Sequence, residues 1–97
     1  MYLKVHRIPG AGDVVAVCDR ELLNSTLLRG DVEVCISEAF YGTSIATEDE
    51  VRRELAHAEN VNLMGRRAVD LAVRMGLIEE SGCIMIGCVP HAQIFRI

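Results

Sequence analysis

The sequence contains no tryptophan, and aromatic residues make up only 4% of its 97 residues. It also has no run approaching the roughly 18 consecutive apolar residues that indicate a transmembrane helix. The N-terminal residues 1–6 are short, polar-interrupted and strand-like. We therefore expect neither a membrane span nor a signal peptide, and we predict a cytoplasmic location. Hydrophobic residues at 51% and charged residues at 25% are typical of a globular chain, predicted to form one domain over 1–97.

Basic charge is also scarce in this sequence. Lys4 is its only lysine, nine arginines supply the other positive side chains, and the net charge is −4. This balance argues against a protein that binds nucleic acid with its whole surface, because phosphate binding depends on clustered Lys and Arg. The charge is uneven, with −2 over residues 1–46, −3 over 47–60 and +1 over 61–97. The last third can therefore form a local basic surface. Abundant Arg with few amides also fits a thermophilic source.

The four cysteines lack the spacing of a metal site. Cys83 and Cys88 are followed by His91, but no C-x₂-C pair would present two thiolates to one zinc ion. We therefore predict buried cysteines that act as small apolar groups, with no bound metal and no cofactor. Nucleotide-binding glycine fingerprints are missing as well, since the G-x-G at residues 10–12 joins two predicted strands.

Strand patterns dominate the first half of the chain. Residues 2–8 alternate in polarity, and residues 14–18 form a continuous apolar run that is typical of a central strand covered on both faces. Residues 32–36 alternate again and predict a third strand. Between these strands, Asp19 is placed to accept the free amides of a short helix over 20–23.

Helical patterns open the second half. Thr47 and Glu50 form a capping box, which predicts a helix over residues 48–58. Asn62 is predicted to cap a longer helix over residues 63–75, whose apolar residues recur at helical spacing. Two helices are therefore expected to pack on the predicted strands.

Extended segments close the chain. Gly76 is placed to end the second helix, and residues 83–86 and 88–97 predict two further strands. Pro90 restricts the last of these to an edge or strand-start position. The order of elements predicts an α+β fold of two layers, with a four- or five-stranded sheet and two main helices on one face.

The most suggestive segment for function lies near the C-terminus, at residues 87–93. In an extended chain His91 and Gln93 point to the same side, about 6.6–6.8 Å apart, so an imidazole and an amide can address one ligand. The alternative is that His91 makes a structural hydrogen bond beside the C-terminal strand.

A second candidate is the start of the predicted second helix. Free backbone amides and the helix dipole favour an anion there, and Gly65 permits close approach. Arg66 and Arg67 can hold phosphate or carboxylate oxygens. The alternative is an ordinary solvated helix end.

Four blocks of sequence resemble, in the same order, an archaeal family known as domain of unknown function 424. They are AVCDRELL at residues 16–23, FYG at 40–42, NLMG at 62–65 and GCVPHAQ at 87–93. The likeness covers nearly the whole chain and implies an archaeal, cytoplasmic protein with a loose association with translation genes. Within the last block, PHAQ looks like a family signature, which adds weight to His91 and Gln93.

These features lead to competing functional hypotheses. The first is a non-enzymatic binding module for RNA or a ribosome-associated translation component, which would use one surface made of Asn62, Gly65, Arg66, Arg67, His91 and Gln93. The second is a small enzyme or ligand-binding domain in which His91 works with Cys18, Asp19 or Tyr41 in a concave pocket. A third is a structural interaction protein that dimerises through an exposed edge strand.

Overall fold

A five-stranded sheet forms the centre of the molecule in the computed structural model, which describes residues 1–96. The strands are β1 (Tyr2–Ile8), β2 (Gly12–Cys18), β3 (Thr26–Arg29), β4 (Val32–Cys35), β5 (Asn60–Met64), β6 (Ile84–Ile86) and β7 (Val89–Phe95). The helices are α1 (Glu38–Tyr41), α2 (Glu48–His57) and α3 (Arg66–Arg74). The sheet order is β1-β2-β5-β7-β6, while β3 and β4 form a separate hairpin. The predicted α+β class, five-stranded sheet and two main helices are confirmed.

Both long helices pack on one face of the sheet, which we call the helix face. Val51 and Leu55 of α2 belong to the same buried cluster as Leu71 of α3 and alternate residues of the strands, such as Val17 and Leu63. Alternation places every second strand residue on this face, so its strongly apolar pattern follows from the pleat. Burial of these side chains on both sides of the interface joins the helices to the sheet.

The opposite face, which we call the hairpin face, carries the β3–β4 hairpin and α1. Leu27 and Val34 of the hairpin pack into a second cluster with Cys18 and Met64 of the sheet, and Tyr41 of α1 joins it. β2 is therefore covered on both faces, as its continuous apolar run predicts. The sequence pattern predicts only the second strand of this hairpin, β4.

The predicted helix over 63–75 is wrong at its beginning. Residues 60–64 form β5, which is parallel to β2 and antiparallel to β7, and α3 begins only at Arg66. Val61 and Leu63 are fully buried on the helix face, so the alternation of this segment matches a strand rather than a helix cap. Asn62 consequently caps no helix.

The predicted role of Asp19 is also wrong. Residues 20–22 form a short 3-10 turn, and the Asp19 side chain makes no capping hydrogen bond to it. Its carboxylate instead accepts hydrogen bonds from the backbone N–H groups of Arg67 at 3.0 Å and Ala68 at 2.9 Å. Asp19 therefore caps α3, which lies far along the chain.

Several local predictions are confirmed. Thr47 and Glu50 form the reciprocal capping box at the start of α2. Gly76 follows α3 with φ of +75°, and Leu77 N–H donates to the Ala72 carbonyl at 3.0 Å, which completes a Schellman motif. Pro90 is the second residue of β7. Among the described residues, none of the helices has the length and apolar character required to cross a membrane.

Candidate binding surface on the sheet

The strand register brings three of the sequence-predicted residues together. Asn62 of β5 lies directly opposite Gln93 of β7, and Met64 lies opposite His91 in the next pair on the same face. All of them are on the hairpin face, because Met64 belongs to its cluster and the side chains alternate. Asn62, His91 and Gln93 therefore share one face of the sheet.

The hairpin and α1 cover only one end of this face. The uncovered end, which we call the open surface, consists of His6, Val14, Asn60, Asn62, Gln93 and Phe95. Phe95 is 76% exposed and Gln93 is exposed, while the remaining members are half-buried. An aromatic ring and three amide side chains thus lie side by side on adjacent strands with access to solvent.

The strands of the hairpin face carry no acidic residue at any described position, although the chain has 14 Asp and Glu residues. Lys4, His6 and His91 lie on this face instead. Acidic residues do occur on the elements that cover it, and one of these, Glu38 of α1, accepts a hydrogen bond from Asn24 at 2.8 Å. The open surface therefore differs in charge from the acidic average of the molecule.

Tyr41 fixes the orientation of Asn62. The Tyr41 hydroxyl donates to Asn62 Oδ1 at 2.6 Å, and the phenol is 4% exposed. Burial raises the pKa of Tyr41 well above its ordinary value, so the phenol stays protonated and remains a donor. Because its oxygen is occupied, Asn62 presents its amide N–H groups as the part available to a ligand.

His91 is fixed in one tautomer by the strand beside it. Its Nδ1 donates to the Leu63 carbonyl at 2.9 Å, which leaves Nε2 as a hydrogen-bond acceptor in the neutral ring. Burial lowers the pKa of His91, and the hydrogen bond to Leu63 opposes that effect only in part. The ring is therefore neutral near pH 7, and the structural hydrogen bond foreseen as the alternative is present.

The predicted anion site at the start of α3 is already occupied by the protein itself. The Asp19 carboxylate fills the position that an external anion would take at the first backbone amides. Gly65 makes this approach feasible, since it has φ of +110° and a Cβ there would overlap the Asp19 carboxyl. Gly65 therefore accommodates an internal carboxylate.

The two arginines of this segment are also paired within the chain. Arg67 Nη1 donates to both carboxylate oxygens of Glu21, at 2.7 and 2.8 Å, which raises the pKa of Arg67. A backbone hydrogen bond at Glu21, and next this contact with Arg67, lower the pKa of Glu21. Arg66 lies 3.7 Å from both Asp70 and Glu80. Both guanidinium groups stay exposed, but they begin a helix that packs on the helix face, whereas His91 and Gln93 lie on the hairpin face.

The cysteine and histidine of the enzymatic hypothesis do not converge. Cys18, Met64 and His91 follow one another across β2, β5 and β7, so Cys18 and His91 are two strand spacings apart, roughly 9.5 Å. A nucleophile and its base need a separation of about 2.6–3.2 Å. Burial, and next the charge of Asp19, raises the pKa of Cys18 to about 12, which keeps its thiol protonated.

Within residues 1–96, no group of three or more His, Cys, Asp and Glu side chains is arranged to hold a metal ion. The prediction of buried cysteines is confirmed for Cys18 and wrong for Cys35 and Cys88, which are exposed, while Cys83 is half-buried.

Four of the six members of the open surface are absent from the predicted site: His6, Val14, Asn60 and Phe95. Asn60 was assigned to a break between helices, and Phe95 was included only as part of the last extended segment. The available signal was the alternation of Asn60, Asn62 and Met64 with Val61 and Leu63, which places both asparagines on one face of a strand. Once β5 is recognised, its polar face defines the middle of the open surface.

Comparisons with known proteins agree with this architecture. A family model described as "Protein of unknown function (DUF424)" matches residues 6–97. The crystal structure of an uncharacterized conserved protein from Methanopyrus kandleri is similar, with a TM-score of 0.80 and 29% sequence identity. That likeness covers 99% of this chain and 92% of that chain. No curated protein matches the sequence.

Proposed function

The chain belongs to the DUF424 family, as its four sequence blocks predict, and we propose that it is a non-enzymatic module that binds single-stranded RNA on its open surface. The observation that carries this proposal is the alignment of Phe95 beside Asn60, Asn62 and Gln93 on an acid-free sheet face. An archaeal source, a cytoplasmic location and an association with translation, which the family resemblance implies, belong to the same proposal.

The chemistry of the open surface suits unpaired bases. Single-stranded RNA is commonly recognised on sheet faces where bases stack on aromatic rings and their edges form hydrogen bonds with side chains. Phe95 offers the ring, and Asn62 offers its amide N–H groups as donors. Gln93 offers an amide that can donate to or accept from a base edge. His91 adds an acceptor at Nε2 in its neutral form.

The electrostatics favour weak, local binding to the RNA backbone. Lys4 and His6 lie on the same face as the open surface, and Arg66 and Arg67 lie at the end of β5. The two arginines form the second part of the proposed surface, where phosphate would have to compete with their carboxylate partners. Stacking and hydrogen bonding are therefore expected to contribute more than phosphate contacts, which gives a shallow dependence of affinity on salt.

Fluorescence anisotropy with a labelled single-stranded RNA of mixed sequence, at low ionic strength, tests the proposal. Stacking of one base on an aromatic ring contributes about 1–3 kcal/mol, so Phe95→Ala should weaken binding at least about fivefold. Gln93→Ala should also weaken binding. The double variant Arg66→Ala with Arg67→Ala should have a smaller effect than Phe95→Ala.

Matched controls come from the rest of the chain. Leu28→Ala removes another exposed apolar side chain, which lies on the hairpin, and His57→Ala removes an exposed imidazole from α2. Both should leave affinity unchanged. The proposal fails if the unmodified chain does not bind single-stranded RNA, or if Phe95→Ala and Gln93→Ala bind as tightly as it does. Equal affinity for a duplex of the same sequence would also contradict it.

A further inference from the structure

One edge of the sheet is incomplete. β6 has only three residues and pairs with the first part of β7, from Val89 opposite Ile86 to His91 opposite Ile84. Beyond His91, β7 continues to Phe95 with β5 on one side and no described strand on the other. The C-terminal part of β7, beyond His91, is therefore an exposed edge within the described chain.

The direction of the backbone groups along this edge follows from the hydrogen bonds of β7. The Pro90 carbonyl accepts from Gly65 N–H at 2.9 Å, and Arg96 N–H donates to the Glu59 carbonyl at 2.7 Å. Even-numbered residues of β7 thus direct their N–H and C=O groups to the β5 side. Because these directions alternate along a strand, Gln93 and Phe95 direct theirs outward.

We propose that this edge, made of residues 92–96, pairs with the same edge of a second copy of the chain. The two strands would run antiparallel about Ile94, so that Gln93 exchanges both backbone hydrogen bonds with the partner's Phe95, and Phe95 does the same with the partner's Gln93. The segment is self-complementary because its outward-facing residues are symmetric about Ile94. A closed two-fold dimer results.

The composition of the edge favours a second copy as its occupant. Proteins usually protect exposed edges with charged residues or proline. The opposite edge, β1, has Lys4 and Arg7 and is followed by Pro9, and its first residues are covered by residues 44–46 through the Leu3 and Ala46 amides. Gln93, Ile94 and Phe95 are uncharged at the centre of this edge. Arg96, its one charged residue, directs its guanidinium to the Ala56 carbonyl at 3.3 Å, away from the centre of the pairing.

The side chains at this edge also gain by pairing. Phe95 is 76% exposed and Ile84, at the start of β6, is 41% exposed. In the antiparallel arrangement Phe95 lies beside the partner's Gln93 on the hairpin face, which removes part of the ring from water. The two-fold axis is perpendicular to the sheet, so the open surfaces of both copies would face the same way and become continuous.

Sedimentation velocity over a range of protein concentrations tests this inference. We expect a weak dimer, with a sedimenting mass that doubles as concentration rises, because few backbone groups pair. Gln93→Pro removes an N–H that points away from β5, so it should abolish the dimer and leave the monomer folded. Gln93→Ala keeps that N–H and should still dimerise. Phe95→Lys places a charge on the edge and should also give a monomer.

Amide hydrogen exchange locates the contact. Protection that increases with protein concentration should appear at the Gln93 and Phe95 amides and not at Ala92 or Ile94, whose N–H groups already face β5. A chain that stays monomeric at its highest soluble concentration overturns the inference. So does a dimer that persists in folded Phe95→Lys, which also decides the matter if Gln93→Pro does not fold. A dimer without RNA binding would contradict only the proposed function, and a monomer that binds RNA would contradict only this inference.

Discussion

Asp19 is the buried polar residue of the described chain, and at 2% exposure its carboxylate is satisfied almost entirely by backbone amides. It is held at the end of β2 by its own backbone, since Asp19 N–H donates to the Met64 carbonyl at 2.9 Å. One residue thereby joins the end of β2, the end of β5 and the start of α3. A side chain that looks catalytic in the sequence, beside Cys18, has a structural role here.

Replacement of Asp19 should destabilise the whole protein. Asp19→Ala removes a helix cap and leaves two amides without an acceptor, so we expect the free energy of unfolding to fall by about 2–4 kcal/mol. Asp19→Asn keeps one acceptor oxygen and should lose less. Urea denaturation followed by circular dichroism measures both changes.

An exposed acidic residue at the start of α2 provides the control for Asp19. Asp49→Ala should change stability by no more than about 0.5 kcal/mol, because its side chain is at the surface. An Asp19→Ala protein as stable as Asp49→Ala would contradict the capping role.

At the scale of elements, α1 is tied to the sheet by contacts from both of its aromatic residues. The Phe40 ring stacks on His6 with centroids 5.1 Å apart, and the Phe40 carbonyl lies 2.6 Å from His6 Nε2. The Tyr41 hydroxyl reaches Asn62 in the middle of the sheet. This short helix therefore sets one boundary of the open surface.

The Tyr41–Asn62 hydrogen bond should be measurable by a double-mutant cycle. Tyr41→Phe should lower the free energy of unfolding by about 0.5–1.5 kcal/mol, and Asn62→Ala by more, because it leaves a buried hydroxyl unpaired. The double variant should lose less than the sum of the single losses. Chemical denaturation gives all of these values, with Tyr2→Phe on the same face as a control. Strictly additive losses would show that the two side chains are not coupled.

The elements that could be predicted from sequence are those whose signals are local. α2 follows from Thr47 and Glu50, which form their capping contacts within a single turn, and the end of α3 follows from Gly76. β5 could not be recognised in the same way, because Asn60 and Asn62 are common at helix caps and turns. Their place in a strand depends on β2 and β7, which lie far away in sequence.

The candidate site was predictable to a similar extent. His91 and Gln93 were identified as a pair because two residues of one strand share a face, and they do. The union of that pair with Arg66 and Arg67 as one surface remains a prediction. The sequence could not indicate that Asp19 accepts hydrogen bonds from the first backbone amides of α3. Asp19 directly precedes the turn over residues 20–22, which its position suggests that it caps and which it does not cap.

At the scale of the whole molecule, the reactivity of the Cys18 thiol depends on whether the sheet and the elements packed on its hairpin face stay together. The Cys18 side chain is fully buried under the hairpin and α1, which pack on the hairpin face of the sheet. Its thiol has a pKa of about 12, raised chiefly by burial, so little thiolate exists in the folded protein at neutral pH. Access to this thiol therefore requires the sheet and its cover to separate.

Thiol modification should divide the four cysteines accordingly. With a maleimide at neutral pH, Cys35 and Cys88 should react rapidly, and Cys83 more slowly. Cys18 should react only at the rate set by global opening, and urea below the unfolding midpoint should accelerate its reaction far more than that of Cys35. Peptide mass spectrometry assigns each site. Equally fast reaction of Cys18 and Cys35 in native buffer would contradict this packing.

The parallel pairing of β2 with β5 has a consequence for how the chain acquires its structure. Val14 cannot pair with Asn60 until the chain between them, which forms the hairpin, α1 and α2, has been synthesised. The other side of β5 then stays unpaired until β7 has been synthesised. The central strands thus depend on contacts between distant parts of the sequence, a topology associated with slow folding. During synthesis, β2 would leave the ribosome next to β1 but long before β5, so one edge of its apolar run would stay unpaired until β5 emerged.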